Sequence, residues 1–164
     1  MTDQPPPLKM EPKYGYYPHW PENGNDWVHP EDVEPARQMI PSQRVFRRDG
    51  ESGRFFVLHY GEARLRVKPA LWIEVPWEGF EIGDWVEVLA RGMHNAPRTG
   101  IIREMLWDDR AEAIRYQIQE QDQLASEFYG REDLRHVEPT PELKKAQEVR
   151  IEATDDDGGL EVVG

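Results

Sequence analysis

Cysteine is absent from the sequence, which excludes disulfides, thiolate zinc sites, iron–sulfur ligation and cysteine catalysis. Long hydrophobic runs are missing too. No stretch approaches the roughly 18 apolar residues of a membrane span, and the N-terminal residues 1–15 lack the apolar core of a secretion signal. The expectation is a soluble, cytoplasmic protein with no membrane association. Apolar residues make up only 38% of the 164-residue chain, against roughly 45–50% in ordinary globular domains. Part of the chain should therefore lie outside any packed core.

Catalytic signatures are equally sparse. Serine occurs only at Ser42, Ser52 and Ser126, none inside the Gly-x-Ser-x-Gly pattern of a nucleophile elbow. No glycine-rich phosphate loop is present. The histidines are His19, His29, His59, His94 and His136, and no two share the spacing of a His-Glu-x-x-His zinc motif. His29-Pro30-Glu31 has two of the residue types of a two-histidine, one-carboxylate metal site, but a helix start explains it better. Carboxylates are so plentiful that no pair singles itself out for glycosidase-like chemistry. The sequence reads as a non-enzyme without a cofactor; a small metal-dependent enzyme is the least favoured reading.

Basic residues are outnumbered, 20 Lys and Arg against 32 Asp and Glu, for a formal charge of −12. The excess is uneven. Residues 1–39 carry a net −4, residues 40–107 a net +1, and residues 108–164 a net −9. Generic nucleic-acid binding needs clustered cations to neutralise phosphates, and the overall balance opposes it. Arginine dominates the cations and suits fixed, forked contacts with carboxylate or phosphate. Pairing with the chain's own carboxylates is the competing use.

What the chain does have is proline at one end and short β-like segments elsewhere. Nine of its 14 prolines fall in residues 1–41, a composition unfit for a regular helix or an inner strand. Residues 1–13 are expected to be loose. Residues 14–28, with Tyr14, Tyr16, Tyr17, Trp20 and Trp27, should wrap against the core in extended form. A short helix is expected over 31–40, opened by Pro30 with Glu31 and Asp32 in its first turn. Strands are predicted over 43–49 and 54–60, joined by a turn at 49–53, then over 64–68 and 71–75. A second unit begins at Gly83, with strands over 84–90, 99–107, 113–119 and 133–137. Residues 120–127 are polar and read as a long loop, 141–149 as a helix, and 154–159 as a flexible acidic tail.

Two strings recur in order. Asp26-Trp27-Val28 returns as Asp84-Trp85-Val86. Tyr60-Gly61, followed after three residues by Leu65-Arg66, returns as Tyr129-Gly130 and Leu134-Arg135. Each half holds about five short strands in 50 to 60 residues, too few for a sandwich but enough to close on itself. The expected fold is mainly β: two small barrels packed in tandem, the first over 14–78 and the second over 79–140, with a C-terminal segment at 141–164.

The second half resembles SH3-like barrels of the KOW, Tudor and Agenet kind. The likeness spans roughly 82–139 and rests on Gly83-Asp84-Trp85-Val86-Glu87-Val88, Arg91-Gly92, Thr99-Gly100-Ile101-Ile102, Ile114-Arg115-Tyr116, Tyr129-Gly130 and Asp133-Leu134-Arg135. It implies a binding module for protein segments, with RNA or ribosome association as the alternative. Arg91, His94 and Arg98 would be the loop contacts for RNA. Trp107, Tyr116 and Tyr129 are the aromatic candidates. In the first half, Arg64, Arg66 and Lys68 alternate with Leu65 and Val67, so one strand face is basic and would suit an acidic or phosphorylated protein partner. The function expected is a non-catalytic interaction adaptor.

Overall fold

A computed structural model of the chain describes residues 8–22, 24–90, 97–142 and 144–145. The protein is mainly β, with two five-stranded antiparallel sheets and one short helix. Two compact units make it up. The first takes Met1–Ile82 together with Met105–Arg115, the second Gly83–Glu104 together with Tyr116–Gly164.

The first sheet contains β1 (Leu8–Tyr16), β2 (Phe46–Ser52), β3 (Phe55–Tyr60), β4 (Ala63–Val67) and β5 (Ile73–Val75), in the order β4-β3-β2-β1-β5. Alternation sets its two faces. In β4, Leu65 and Val67 are buried while Arg64 is exposed, as a two-residue side-chain period requires. The inner face collects Tyr17, Trp27, Val28, Ile40, Phe46, Leu58, Leu65 and Val67 around Ala36 of helix α1 (Val33–Met39). Burial of such side chains contributes about 1.5–3 kcal/mol each and is the main force holding this unit together. A 3-10 turn at Pro30–Asp32 leads into α1, and the His29 imidazole Nδ1 accepts the Glu31 N–H at 3.1 Å. The outer edge of β4 is covered by the segment around Trp27. His29 N–H donates to Arg66 C=O (3.0 Å) and Lys68 N–H to Trp27 C=O (2.7 Å), around a Val28–Val67 bridge.

The second sheet contains β6 (Trp85–Val88), β7 (Arg98–Asp108), β8 (Ala113–Glu120), β9 (Gln123–Tyr129) and β10 (Leu134–His136), in the order β10-β6-β7-β8-β9. Val86, Val88, Ile102, Tyr116, Ile118 and Leu134 are buried. The two sheets share one order: the last strand lies beside the first, and the first beside the second. The recurring strings mark a common pairing. Trp85 and Val86 pair with the Arg135 segment as Trp27 and Val28 pair with the Arg66 segment; Val137 N–H donates to Trp85 C=O (3.2 Å) where Lys68 donates to Trp27.

Three expectations give way. Residues 8–13 belong to β1, and β1 is an inner strand despite Pro12. Its pairing with β2 shifts register between Lys9 and Lys13, and β5 joins it only from Tyr14 onward. Pro12 therefore sits where the ladder is interrupted and no second neighbour needs its missing N–H. The first hairpin turns at 53–54 rather than across 49–53, because Gly50 lies at a register shift within β2. The polar stretch 120–127 is largely strand β9, whose exposed residues need no apolar alternation because it is an edge strand of its sheet. The helix predicted over 141–149 lies mostly outside the described residues, which contain its first hydrogen bond, Lys144 N–H to Thr140 C=O (3.1 Å); the tail at 154–159 lies wholly outside them. Among the described residues no helix is long and apolar enough to cross a membrane.

Candidate binding cleft

Strand pairing in the first unit aligns one residue from each strand into a row across the outer face. Arg64 of β4 lies opposite His59 of β3, His59 opposite Arg47 of β2, Arg47 opposite Tyr14 of β1, and Tyr14 opposite Val75 of β5. Residues directly opposite on antiparallel strands share a face, so segments distant in sequence form one surface. At its β1–β5 end this surface sinks into a cleft of about 760 Å³ lined by Glu11–Tyr14, Arg47, Asp49, Glu74–Trp77 and Glu81. That volume lies within the range of small-ligand and peptide pockets.

The segment after β5 builds one wall. Pro76 ends the strand, and Gly79 turns the chain with φ +100, a conformation glycine adopts without a Cβ clash. Phe80 is buried behind the turn. The Trp77 indole N–H donates to the Phe80 C=O (3.3 Å), which fixes the ring. Trp77 stacks on Tyr14 with ring centroids 5.8 Å apart and planes 10° from parallel. Tyr14 is 7% exposed, whereas Trp77 is 55% exposed, the most of any large apolar residue among those described. Glu78 anchors the same loop by accepting the Ile114 N–H at 3.0 Å.

The floor is a chain of polar contacts. Tyr14 O–H donates to Glu81 Oε1 (2.5 Å), and Arg47 Nη1 donates to the same oxygen (3.2 Å). Arg47 Nε donates to Asp49 Oδ2 (2.9 Å), and His59 Nε2 lies 3.1 Å from Asp49 Oδ1. Burial, and then the bond to Glu81, push the Tyr14 hydroxyl well above its ordinary pKa, so it remains a donor at physiological pH. Burial works against the charge on Arg47, but Glu81 and Asp49 outweigh it and hold the guanidinium above its usual value. The floor is thus tied together by mutual bonds, while the rim residues Glu11 and Glu74 are exposed and make no ion pair among the described residues.

The residues singled out from the sequence are dispersed by the fold. Arg64 is exposed and ends the cross-strand row. Arg66 is engaged internally: its Nε donates to Asp32 Oδ2 (2.9 Å), its Nη2 to Asp32 Oδ1 (3.1 Å) and Glu31 Oε2 (3.0 Å), and its backbone N–H to Asp32 (2.8 Å). The basic strand face therefore offers Arg64 and the half-buried Lys68, with Arg66 already neutralised. Trp107 stacks on Tyr16 (6.2 Å), and its indole N–H donates to Asp109 (2.8 Å). Tyr116 is fully buried, because its side of β8 faces the core, and it presents no surface. Tyr129 is 7% exposed and its hydroxyl accepts from Arg98, whose guanidinium also lies 3.8 Å from Glu120. Arg91 and His94 lie outside the described residues.

Sequence reasoning missed Trp77, Glu81, Asp49, His59 and the role of Tyr14. The row exists only once five strands are in register, so no local pattern announces it. One signal was available: a tryptophan placed just after a strand-ending proline and just before Glu78-Gly79 occupies no periodic core position.

The fold and the cleft define a two-unit β protein with an open cleft on the outer face of its first sheet. The chain belongs to a family of unknown function, DUF6960, whose model matches residues 7–135, a span that begins just before β1 and ends within β10. No curated protein and no solved structure matches the chain.

Proposed function

We propose that the protein is a non-catalytic interaction module that binds a protein segment on the outer face of its first sheet. The observation that carries this reading is Trp77: more than half exposed, yet held in place by its stack on Tyr14 and its bond to Phe80. Exposed tryptophans pinned in this way characterise binding hot spots, where a rigid aromatic surface gives contact area at little entropic cost. The polar floor is saturated by mutual bonds, which fits a recognition surface better than a proton-transfer site. The relation to SH3-like barrels is supported by the strand order common to both sheets, with the last strand returning beside the first.

The test is a comparison of crosslinked partners for wild type, Trp77→Ala and Arg64→Ala. The expected result is loss of a discrete partner set in Trp77→Ala, with Arg64→Ala weaker in effect. Identical sets for wild type and Trp77→Ala would reject the cleft as the binding surface.

A further inference from the structure

Four half-buried aromatic rings lie under the chain's own arginines. Arg37 lies 4.1 Å from the Trp20 ring centroid, Arg44 lies 6.0 Å from that of Tyr60, and Arg48 lies 4.4 Å from Phe56 and 5.3 Å from Trp72. Trp77 differs. One face rests on Tyr14, and among the described residues no cation stands over the other. Around it are the carboxylates of Glu11, Asp49, Glu74 and Glu81 against the cations Lys13 and Arg47. Arg47 is neutralised by Glu81 and Asp49, which leaves Glu11, Glu74 and Lys13 as the exposed charges lining the cleft, two negative against one positive.

We propose that the cleft takes an arginine or lysine side chain from a basic protein segment, stacked on the outer face of Trp77 and paired with Glu11 and Glu74. This inference rests on the reading of the cleft as a protein-binding surface and specifies the chemistry of its partner. Three features converge on a cation. An indole face attracts a positive charge through its quadrupole. Two carboxylates that make no ion pair among the described residues can accept the charge-assisted hydrogen bonds that a guanidinium donates. The molecule's net charge of −12 draws a basic segment in and repels an acidic one.

The experiment uses the full-length protein and a library of decapeptides, each with one fixed residue, immobilised and probed at physiological salt. Peptides with fixed arginine are compared with peptides carrying citrulline, its uncharged isostere, at the same position. Wild type is expected to favour arginine over citrulline about tenfold. Glu11→Gln/Glu74→Gln should lose most of that preference, and Trp77→Ala should lose binding; Trp77→Phe should retain part of it. The two glutamates are exposed, and an unchanged melting temperature for that variant verifies that it folds. Binding that depends on Trp77 but shows no arginine preference, or a preference that survives Glu11→Gln/Glu74→Gln, overturns the cation assignment and leaves the interaction reading standing. Absence of binding to every peptide, with partners still captured through Trp77 by crosslinking, likewise overturns the assignment. Absence of both sinks the two readings together.

Discussion

Both units pair an Asp-Trp-Val segment with a Leu-Arg segment in the same register, but they secure that pairing differently. In the second unit the backbone does most of the work: β6 and β10 share three consecutive partner positions, Leu134–Val88, Arg135–Glu87 and His136–Val86. In the first unit the ladder shrinks to the single Val28–Val67 bridge, and side chains supply the rest. Asp32 and Glu31, delivered by the turn that precedes the helix, grip Arg66. Its counterpart Arg135 is 61% exposed, and its side chain bonds Glu87 alone among the described residues, whereas Arg66 and Asp32 are 15% and 13% exposed. One hydrogen-bonded ladder and one half-buried ion pair thus solve the same problem, that of holding a short edge strand. The inserted helix is what permits the second solution.

The harshest test of the comparison strikes both sheets where strands approach most closely. A Cβ at Gly15 would come within 2.5 Å of the Ile73 carbonyl oxygen, and one at Gly100 within 2.5 Å of that of Gln119. Gly15→Ala and Gly100→Ala should each cost about 3 kcal/mol, read as a lowered denaturant midpoint. A tolerated alanine at either position would show that its sheet is looser than described.

Next comes the pair of matching arginines. Arg66→Ala leaves the Asp32 carboxylate half-buried without its partner and should cost about 2–3 kcal/mol. Arg135→Ala removes an exposed ion pair and should cost under about 0.5 kcal/mol. Equal effects in chemical denaturation would erase the distinction between the two ways of anchoring the strand.

Acid sharpens the same contrast. Burial raises the pKa of Asp32, but the bonds and charge of Arg66 outweigh it and hold the carboxyl below the ordinary range. Stability from a carboxylate held low is complete above its unfolded pKa of about 3.9 and is lost as pH falls through the lower folded value. The advantage of wild type over Asp32→Asn should therefore be constant from about pH 7 to pH 5 and shrink below about pH 4. An advantage that persists undiminished at about pH 2 would remove ionisation from the account.

The smallest expected effect is on stability at the cleft. Trp77→Ala deletes an exposed ring and should shift stability by less than about 1 kcal/mol. A larger loss would mean the ring serves packing before recognition.

Much of the fold could be read from local pattern. The Leu65/Val67 and Val86/Val88 alternations, the helix opening at Pro30, and the recurrence of Asp-Trp-Val all correspond to observed elements. What could not be read was pairing between distant segments. Strand β1 hides behind prolines, because proline's local penalty vanishes where the ladder is interrupted. Strand β9 hides behind Gln123, Ser126 and Glu127, because a largely exposed edge strand carries no apolar signature. The basic stripe of Arg64, Arg66 and Lys68 was visible, but its meaning depended on Asp32, 34 residues before Arg66. The cleft was the least visible of all, since His59, Arg47, Tyr14 and Val75 become neighbours only through three separate strand pairings.

The first unit is discontinuous. It includes Met105–Arg115, whose backbone accepts the Val45 N–H at Met105 (2.9 Å) and donates to the Gln43 carbonyl from Trp107 (2.8 Å). A nascent chain emerging from the ribosome therefore cannot complete its first unit when Ile82 clears the exit tunnel; it must wait until Arg115 has cleared it as well. A fragment cut at Ile82 would leave the Val45 amide and the Gln43 carbonyl without these partners. A fragment cut after Arg115, which keeps both partners, should accordingly hold its first unit together better than one cut at Ile82.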